Sequence, residues 1–366
     1  MAPEYRIDVK NTAGSLQAVL TDFLYLGYRK AVNEPGALSF GLGGDHPLLS
    51  TIADKWQVEV WRRDPARGIA WYADFYGLFR DDVREMDDNG YESVELTCPG
   101  QSSMLGWRHN LYLPETPNRT LFSTLPAETV MKTIVQYNFT ASATTANGRQ
   151  RDGQLTGISI QADGGDGNTI SWQSARSNVL SELQKIASIG GGDFDLIKTG
   201  GATWEFRFYQ GQRGVDRSAS VVFATEYGNM RAPRLSRPRS SEYPVAIVGG
   251  KGQEEERRIR VRTGPNYHAT NNNIERWIDQ TSLSDPASLD AAGDAALEAS
   301  RAVATLEYKV MQTPASLYGL HYCVAGDIGD LITARYRGIE LTQKIRAVTV
   351  EFRNKRQAID IEAEDE

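Results

Sequence analysis

The strongest constraint on this 366-residue chain is a pattern of alternation that occurs twice. In the first stretch, Gln57 to Trp61, Phe75 to Arg80 and Tyr91 to Thr97 read as three alternating strands. In the second, Leu331 to Tyr336, Ile345 to Val350 and Ala358 to Ala363 do the same. Period-two alternation marks strands with one buried face. Turn-rich gaps separate the strands in both copies. Each copy begins a short way after a Gly-Asp pair, Gly44-Asp45 or Gly326-Asp327. A lone antiparallel meander of this size leaves its edges open, and closure into a small barrel or pairing across subunits hides them. The expected fold class is therefore mainly β, a β-rich α+β chain. It has two small antiparallel β-barrel-like domains related by duplication, an α/β insertion and one long helix in the C-terminal half.

Other segments fill in this frame. Tyr5, Ile7 and Val9 before Gly14 predict an edge strand and a turn, Gly36 to Phe40 a short strand, and Asp87-Asp88-Asn89-Gly90 a tight turn. In the middle, Val130, Met131, Ile134 and Val135 recur at helical spacing. Val179, Leu180, Leu183, Ile186 and Ala187 share a second helical face, stopped by Gly190-Gly191-Gly192. Phe194 and Leu196, a turn at Gly200-Gly201, and alternating Trp204, Phe206 and Phe208 predict a hairpin. Asp285-Pro286 is a cap-plus-first-turn signal for a long Ala-rich helix over about 286–308, with Leu289, Ala296, Val303 and Leu306 on one face. The expected domains are residues 1–108 with about 204–244, an inserted α/β domain over 109–203, and a second β domain over 245–366. Glu362 to Glu366 is expected to be a frayed acidic tail.

The chemistry-bearing motifs point away from catalysis. The four histidines, His46, His109, His268 and His321, form no two-His helical zinc pattern. His321 and Cys323 would share a strand face but lack a partner pair. Cys98 and Cys323 are expected as buried free thiols. No G-x-S-x-G elbow occurs, and Gly249-Gly250-Lys251-Gly252 has no Ser or Thr after its Lys, so it reads as a bend. Asp163-Gly164-Gly165-Asp166-Gly167-Asn168 is similar to a calcium turn, but such turns bind by stacking in repeats and this one stands alone. Asp81-Asp82 and Asp87-Asp88 read as solvated pairs, and Trp56, Trp61, Trp71, Tyr72 and Tyr76 as core residues. The formal net charge is −7, and no basic stripe of the kind duplex binding needs is evident. Arg231, Arg234, Arg237 and Arg239, interleaved with Pro233 and Pro238, read as a solvated loop crossing between domains. No N-terminal apolar segment or membrane-length run occurs, so the chain is expected to fold in a cytoplasm. The expectation is no enzyme, no catalytic, cofactor-binding or metal residues, and no cofactor.

Five phrases taken in order resemble the tail-hub family of long-tailed phages, the baseplate-hub or minor tail proteins. They are Asp74-Phe75-Tyr76-Gly77-Leu78-Phe79-Arg80; Leu96 to Leu105 with Trp107-Arg108; Gly214 to Ser218 leading to Glu226-Tyr227-Gly228-Asn229-Met230; Val248 to Gln253; and Gly326 to Ile332. The resemblance implies a homotrimeric ring with two barrel-like domains per chain, so that three chains match a sixfold tube. It implies a virion location at the tail tip after synthesis in the host cytoplasm. The implied partners are the distal tail or tail tube protein, the tape-measure protein and a central fibre or tip protein. DNA would pass through the channel without specific binding, and the chain would not insert into a membrane. A carbohydrate- or receptor-binding baseplate protein and a tail-associated cell-wall hydrolase are the alternatives.

Overall fold

The computed structural model describes residues 3–113, 118–150, 152–270, 272–281, 284–301, 304–311 and 328–365. By contacts the chain divides into two compact units, Met1–Ala232 with Tyr308–Glu366, and Pro233–Glu307. The boundaries expected at 108, 203 and 244 do not coincide with this division, because strands distant in sequence pair into shared sheets. Among the described residues, no helix is long and apolar enough to cross a membrane.

The first unit opens with eight strands: β1 (Glu4–Lys10), β2 (Leu16–Leu20), β3 (Tyr25–Ala31), β4 (Ala37–Gly43), β5 (Gln57–Asp64), β6 (Ile69–Leu78), β7 (Asp81–Met86) and β8 (Glu92–Pro99). An α/β segment follows: β9 (Thr120–Pro126), α1 (Ala127–Phe139), β10 (Ile158–Ile160), β11 (Thr169–Ser174), α2 (Val179–Gly190), β12 (Gly192–Lys198) and β13 (Trp204–Gln210). Then come β14 (Val222–Ala224) and β15 (Met230–Ser236), which leads into the second unit. That unit holds β16 (Val245–Gly249), β17 (Ile259–Thr263), β18 (Glu275–Asp279) and α3 (Pro286–Ser300). The chain returns through β19 (Thr305–Val310), paired with β15, and ends in β20 (Leu331–Tyr336), β21 (Ile339–Arg353) and β22 (Arg356–Asp365).

Two sheets face each other across the main core. One has the order β2-β1-β5-β6. The other has eight strands, ordered β14-β20-β21-β3-β4-β8-β7, with β22 on β21. Alternation decides which side chains go between them. Ile7, Val9, Val58 and Val60 of the first sheet are buried, as are Leu26, Leu38, Phe40, Leu42, Val94, Leu96 and Cys98 of the second. Tyr28 and Phe75 span the gap with ring centroids 5.7 Å apart.

The expected C-terminal meander forms within one sheet, whereas the N-terminal one is split between the two sheets. In the C-terminal copy, β21 pairs with β20 over its first half (Tyr336↔Ile339 to Leu331↔Lys344) and with β22 further on (Gln343↔Asp365 to Arg353↔Arg356). In the N-terminal copy β6 pairs with β5, and β7, which follows directly, pairs with β8. The central strand is thus one bulged strand in the second copy and two strands in the first. Sequence alternation missed β7 because Asp81, Asp82, Arg84 and Glu85 put charge on both phases of the strand.

The helices sit where apolar spacing put them. Val130, Met131, Ile134 and Val135 of α1 and Val179, Leu183 and Ile186 of α2 are buried in one cluster with Phe194, Leu196, Phe206 and Phe208 of the β12–β13 hairpin. The Asn178 side chain caps α2 by accepting from Ser181 N at 3.3 Å, and Gly191 ends it at φ 66°. Gly14, at the turn between β1 and β2, has φ 83°, and a Cβ there would lie 2.4 Å from the Gly201 backbone. The two predicted turns therefore pack on each other.

Several expectations are corrected. Strand β1 is not an edge: it lies between β2 and β5, because β2 folds back on it from the Gly14 turn. Strand β13 pairs with β10 and β12 in the helical layer, rather than completing the first β domain. Helix α3 ends at Ser300 instead of about 308, with Arg301 already extended (ψ 132°). Leu306 is buried from strand β19, where β-prone Thr305, Tyr308 and Val310 favour extension. Val303 lies outside the described residues. Arg231 and Arg234 are exposed on strand β15 rather than on a loop; Arg237 and Arg239 are exposed beyond it. The acidic end is not frayed up to Asp365, since Arg29, Arg346 and Gln343 hold Glu362, Glu364 and Asp365 at 3.0, 2.9 and 2.8 Å. Gly326-Asp327, His321 and Cys323 lie outside the described residues.

Candidate assembly interface

The eight-stranded sheet has one face in the core and one face open. The pleat places Asp81, Glu85, Glu95, Glu351, Asp360 and Glu362 on the open face, together with Arg29, Arg353 and Arg356. Counting also Glu340 and Glu364, and Arg335, Lys344 and the Glu364-bound Arg346, eight carboxylates face six basic side chains, and the face is slightly net acidic. Between them the residues are small: Gly27 on β3, and Ser39, Gly41 and Gly43 on β4. The Tyr25 ring lies across Gly41, its cross-strand partner, where a Cβ would come within 2.5 Å of the ring. Burial, and then the Glu95 carboxylate, push the Tyr25 phenol up to about 12, so it is neutral at physiological pH.

Strands β3 and β4 join the two meanders, β4 pairing with β8 and β3 with β21. Strand β3 pairs antiparallel with β21 from Tyr25↔Arg353 to Ala31↔Ala347. Arg29 strengthens this seam, donating to both Glu362 oxygens, at 3.3 and 3.0 Å, and to Glu34 at 2.9 Å. Behind the seam, Asp74 accepts from Lys30 and from Tyr28 Oη, each at 2.5 Å. Gln357 of β22 accepts from Tyr5 Oη at 2.5 Å and from the buried Arg62 at 3.0 Å. The two copies are therefore bonded by backbone, ion pairs and buried polar groups.

The corresponding edge of the first copy is open. Among the described residues strand β7 pairs only with β8, and all six of its residues are exposed. Val83 and Met86 are 53% and 67% exposed, and Tyr91 beyond the turn is 53% exposed, an apolar content unusual for a strand bathed in water. The Asp87 side chain fixes the β7–β8 turn by accepting from Asn89 N at 2.9 Å and Tyr91 N at 2.8 Å. The hydrogen bond from Tyr91 N, foremost, holds its carboxyl below the usual carboxylate range. The sequence signal was there: a run charged in both phases, between alternating strands, has no face to bury.

The remaining candidates are placed as follows. Cys98 is fully buried on β8, and burial pushes its thiol well up. Among the described residues, no group of three or more His, Cys, Asp or Glu is poised to hold a metal. The 163–168 loop is tied down by Glu128, which accepts from Gly164 N at 3.0 Å and Asp166 N at 2.8 Å. Gly250 makes a bend, donating to Arg258 O at 2.8 Å. Trp56, Trp61, Trp71, Tyr72 and Tyr76 are half-buried rather than core. Arg6 lies 4.8 Å from the Trp61 ring and 5.1 Å from the Trp71 ring, and Arg63 lies 4.9 Å from the latter.

This architecture is that of phage tail proteins. It superposes on the 43 kDa tail protein of prophage MuSo2 from Shewanella oneidensis with a TM-score of 0.57 at 10% identity, covering 99% of this chain and 97% of that one. The tail protein of Neisseria meningitidis MC58 gives 0.53 at 10% identity (100% and 97% covered). Prophage tail protein gp18 of Listeria monocytogenes EGD-e gives 0.53 at 13% identity (99% and 94% covered). Among curated protein sequences none matches the chain. The chain belongs to the Siphovirus ReqiPepy6 Gp37-like protein family, whose pattern it matches over residues 6–363. The mainly β class and the phage-tail resemblance read from the sequence both hold.

Proposed function

We propose that the chain is a non-enzymatic ring subunit of the tail-tip hub, assembled as a homotrimer in which each copy supplies two equivalent barrel-like β modules. The observation that carries this reading is the unequal fate of two like edges. In the C-terminal module the second half of the central strand is covered by β3 of the N-terminal module. In the N-terminal module the same half, β7, has its outer edge bare among the described residues. Pairing β7 with a neighbouring copy would repeat the internal seam between chains and close the ring around a pseudo-sixfold axis. The open sheet face would then line the channel. Its excess of carboxylates repels phosphate, so DNA would pass without being held. Such a ring would sit in the virion between the distal tail or tube protein and the central fibre, against the end of the tape-measure protein. Arginines stacked over Trp61 and Trp71 occupy ring faces that a sugar would need, which works against a carbohydrate-binding role.

Proline at 83 and, separately, at 84 tests the proposal. Successive N–H groups of a strand point to opposite sides, so one variant removes a donor from the open edge and the other a donor from the β8 ladder. Sedimentation of the chain mixed with tail tubes should show trimers for the native protein, and folded monomers for the open-edge variant. A native chain that joins tubes as six single copies, or an open-edge variant that still forms trimers, would overturn the ring.

A further inference from the structure

The α/β segment contains a second feature, unrelated to the sheet edges. Arg149 is only 3% exposed, yet among the described residues it forms no ion pair. Its Nη2 donates to Tyr112 Oη at 3.1 Å, and its Nη1 donates to Asn110 Oδ1. Both acceptors are neutral. Its Nε–H is buried and has no acceptor among the described residues. The Tyr112 and Tyr137 rings stand 4.3 and 5.2 Å from the guanidinium carbon. Glu182 reaches Arg149 only through Asn110, whose Nδ2 it accepts at 3.1 Å. The rest of that carboxylate is taken up by Trp172 Nε1 at 2.7 Å and Ser177 Oγ at 2.8 Å. A buried guanidinium among neutral partners is unfavourable unless something supplies the missing negative charge.

The surroundings leave room for it. Arg149 lines a cavity of about 260 Å³ with Trp107, Arg108, His109, Tyr137 and Gln150. Among the described residues no acidic side chain lines it. His109 and Gln150 are exposed, so the cavity can be reached from solvent. We propose that this cavity is an oxyanion site that takes a phosphate or carboxylate group against Arg149 and Arg108, with the Tyr137 and Trp107 rings as its walls. A planar guanidinium already immobilised by Tyr112 and Asn110 loses little freedom on binding such a group. The proposal does not depend on the ring.

Isothermal titration of the full chain with sodium phosphate, and separately with sodium acetate, at ionic strength held constant with sodium chloride, tests it. One saturable site per chain is expected for at least one of the two anions. Tighter phosphate points to a phosphate source, and tighter acetate to a carboxylate presented by a peptide. Arg149→Met should weaken binding about tenfold or more. Arg108→Gln, on the half-exposed wall, serves if the first variant does not fold, and should weaken it severalfold. No saturable binding of either anion by the native chain, or native affinity in the folded variants, would overturn the site.

Discussion

Glu59 shows how one side chain ties two layers together. It is 2% exposed on the outer face of β5 and accepts from Lys10 at 2.8 Å and from Lys198, at the end of β12, at 2.7 Å. Burial acts to raise its carboxyl, but the hydrogen bonds from Lys10 and Lys198, with the Lys198 charge, outweigh it and hold the group below its ordinary value. The unfolded chain then takes up this proton first as pH falls, near about pH 4.3. The stability from Glu59 is therefore complete above that range and is lost as pH drops through the lower folded value. Glu59→Gln should cost about 3–5 kcal/mol at pH 7, because it leaves two ammonium groups facing a neutral amide. Urea titrations at pH 7 and near pH 3 should show the gap between native and variant narrowing at the lower pH; an equal gap at both would exclude this account. Cys98, with its thiol buried and pushed up, should resist iodoacetamide in the folded chain and react in urea, as read by peptide mapping.

At the scale of elements, local chemistry and distant pairing parted company. The Leu183 position of α2, fully buried, was legible from helical spacing and a glycine stop. Truncating it to Ala should cost about 2–5 kcal/mol by chemical denaturation. The Asp285 cap was legible too. Its side chain accepts from Ser288 N at 2.9 Å, and Asp285→Ala should lower the stability of the second unit by about 1 kcal/mol, with amide exchange faster over α3 than over α2. The end of α3 was not legible, because Ala-rich propensity runs on until β-prone Thr305 to Val310 finds a partner in β15. Neither was the seam between β3 and β21, since alternation says which side of a strand is buried but not which strand lies beside it. The oxyanion cavity left no motif at all: Trp107 to Leu111 and Tyr137 to Gln150 are separate in sequence and meet only through the fold.

For the whole molecule, the second unit is an insertion. The chain leaves the first unit through β15 and returns through β19, and these two strands pair. Replacing residues 237–304 by a short turn should therefore leave the first unit folded, with a cooperative melt and a near-ultraviolet circular dichroism spectrum that keeps its fine structure after the loss of Tyr243, Tyr267 and Trp277; a flat spectrum with no melt would mean the insertion is needed for folding. The seam has another consequence, for synthesis on the ribosome. Strand β3 emerges well before its partner residues 347–353, with β4 to β20 translated in between. Until then β3 and β7 both remain open, and the nascent chain carries two adhesive edges instead of one. A phage with an amber codon anywhere between β8 and β21 should thus yield an aggregating fragment rather than a shorter soluble subunit, and suppression of that codon should restore solubility together with plaques.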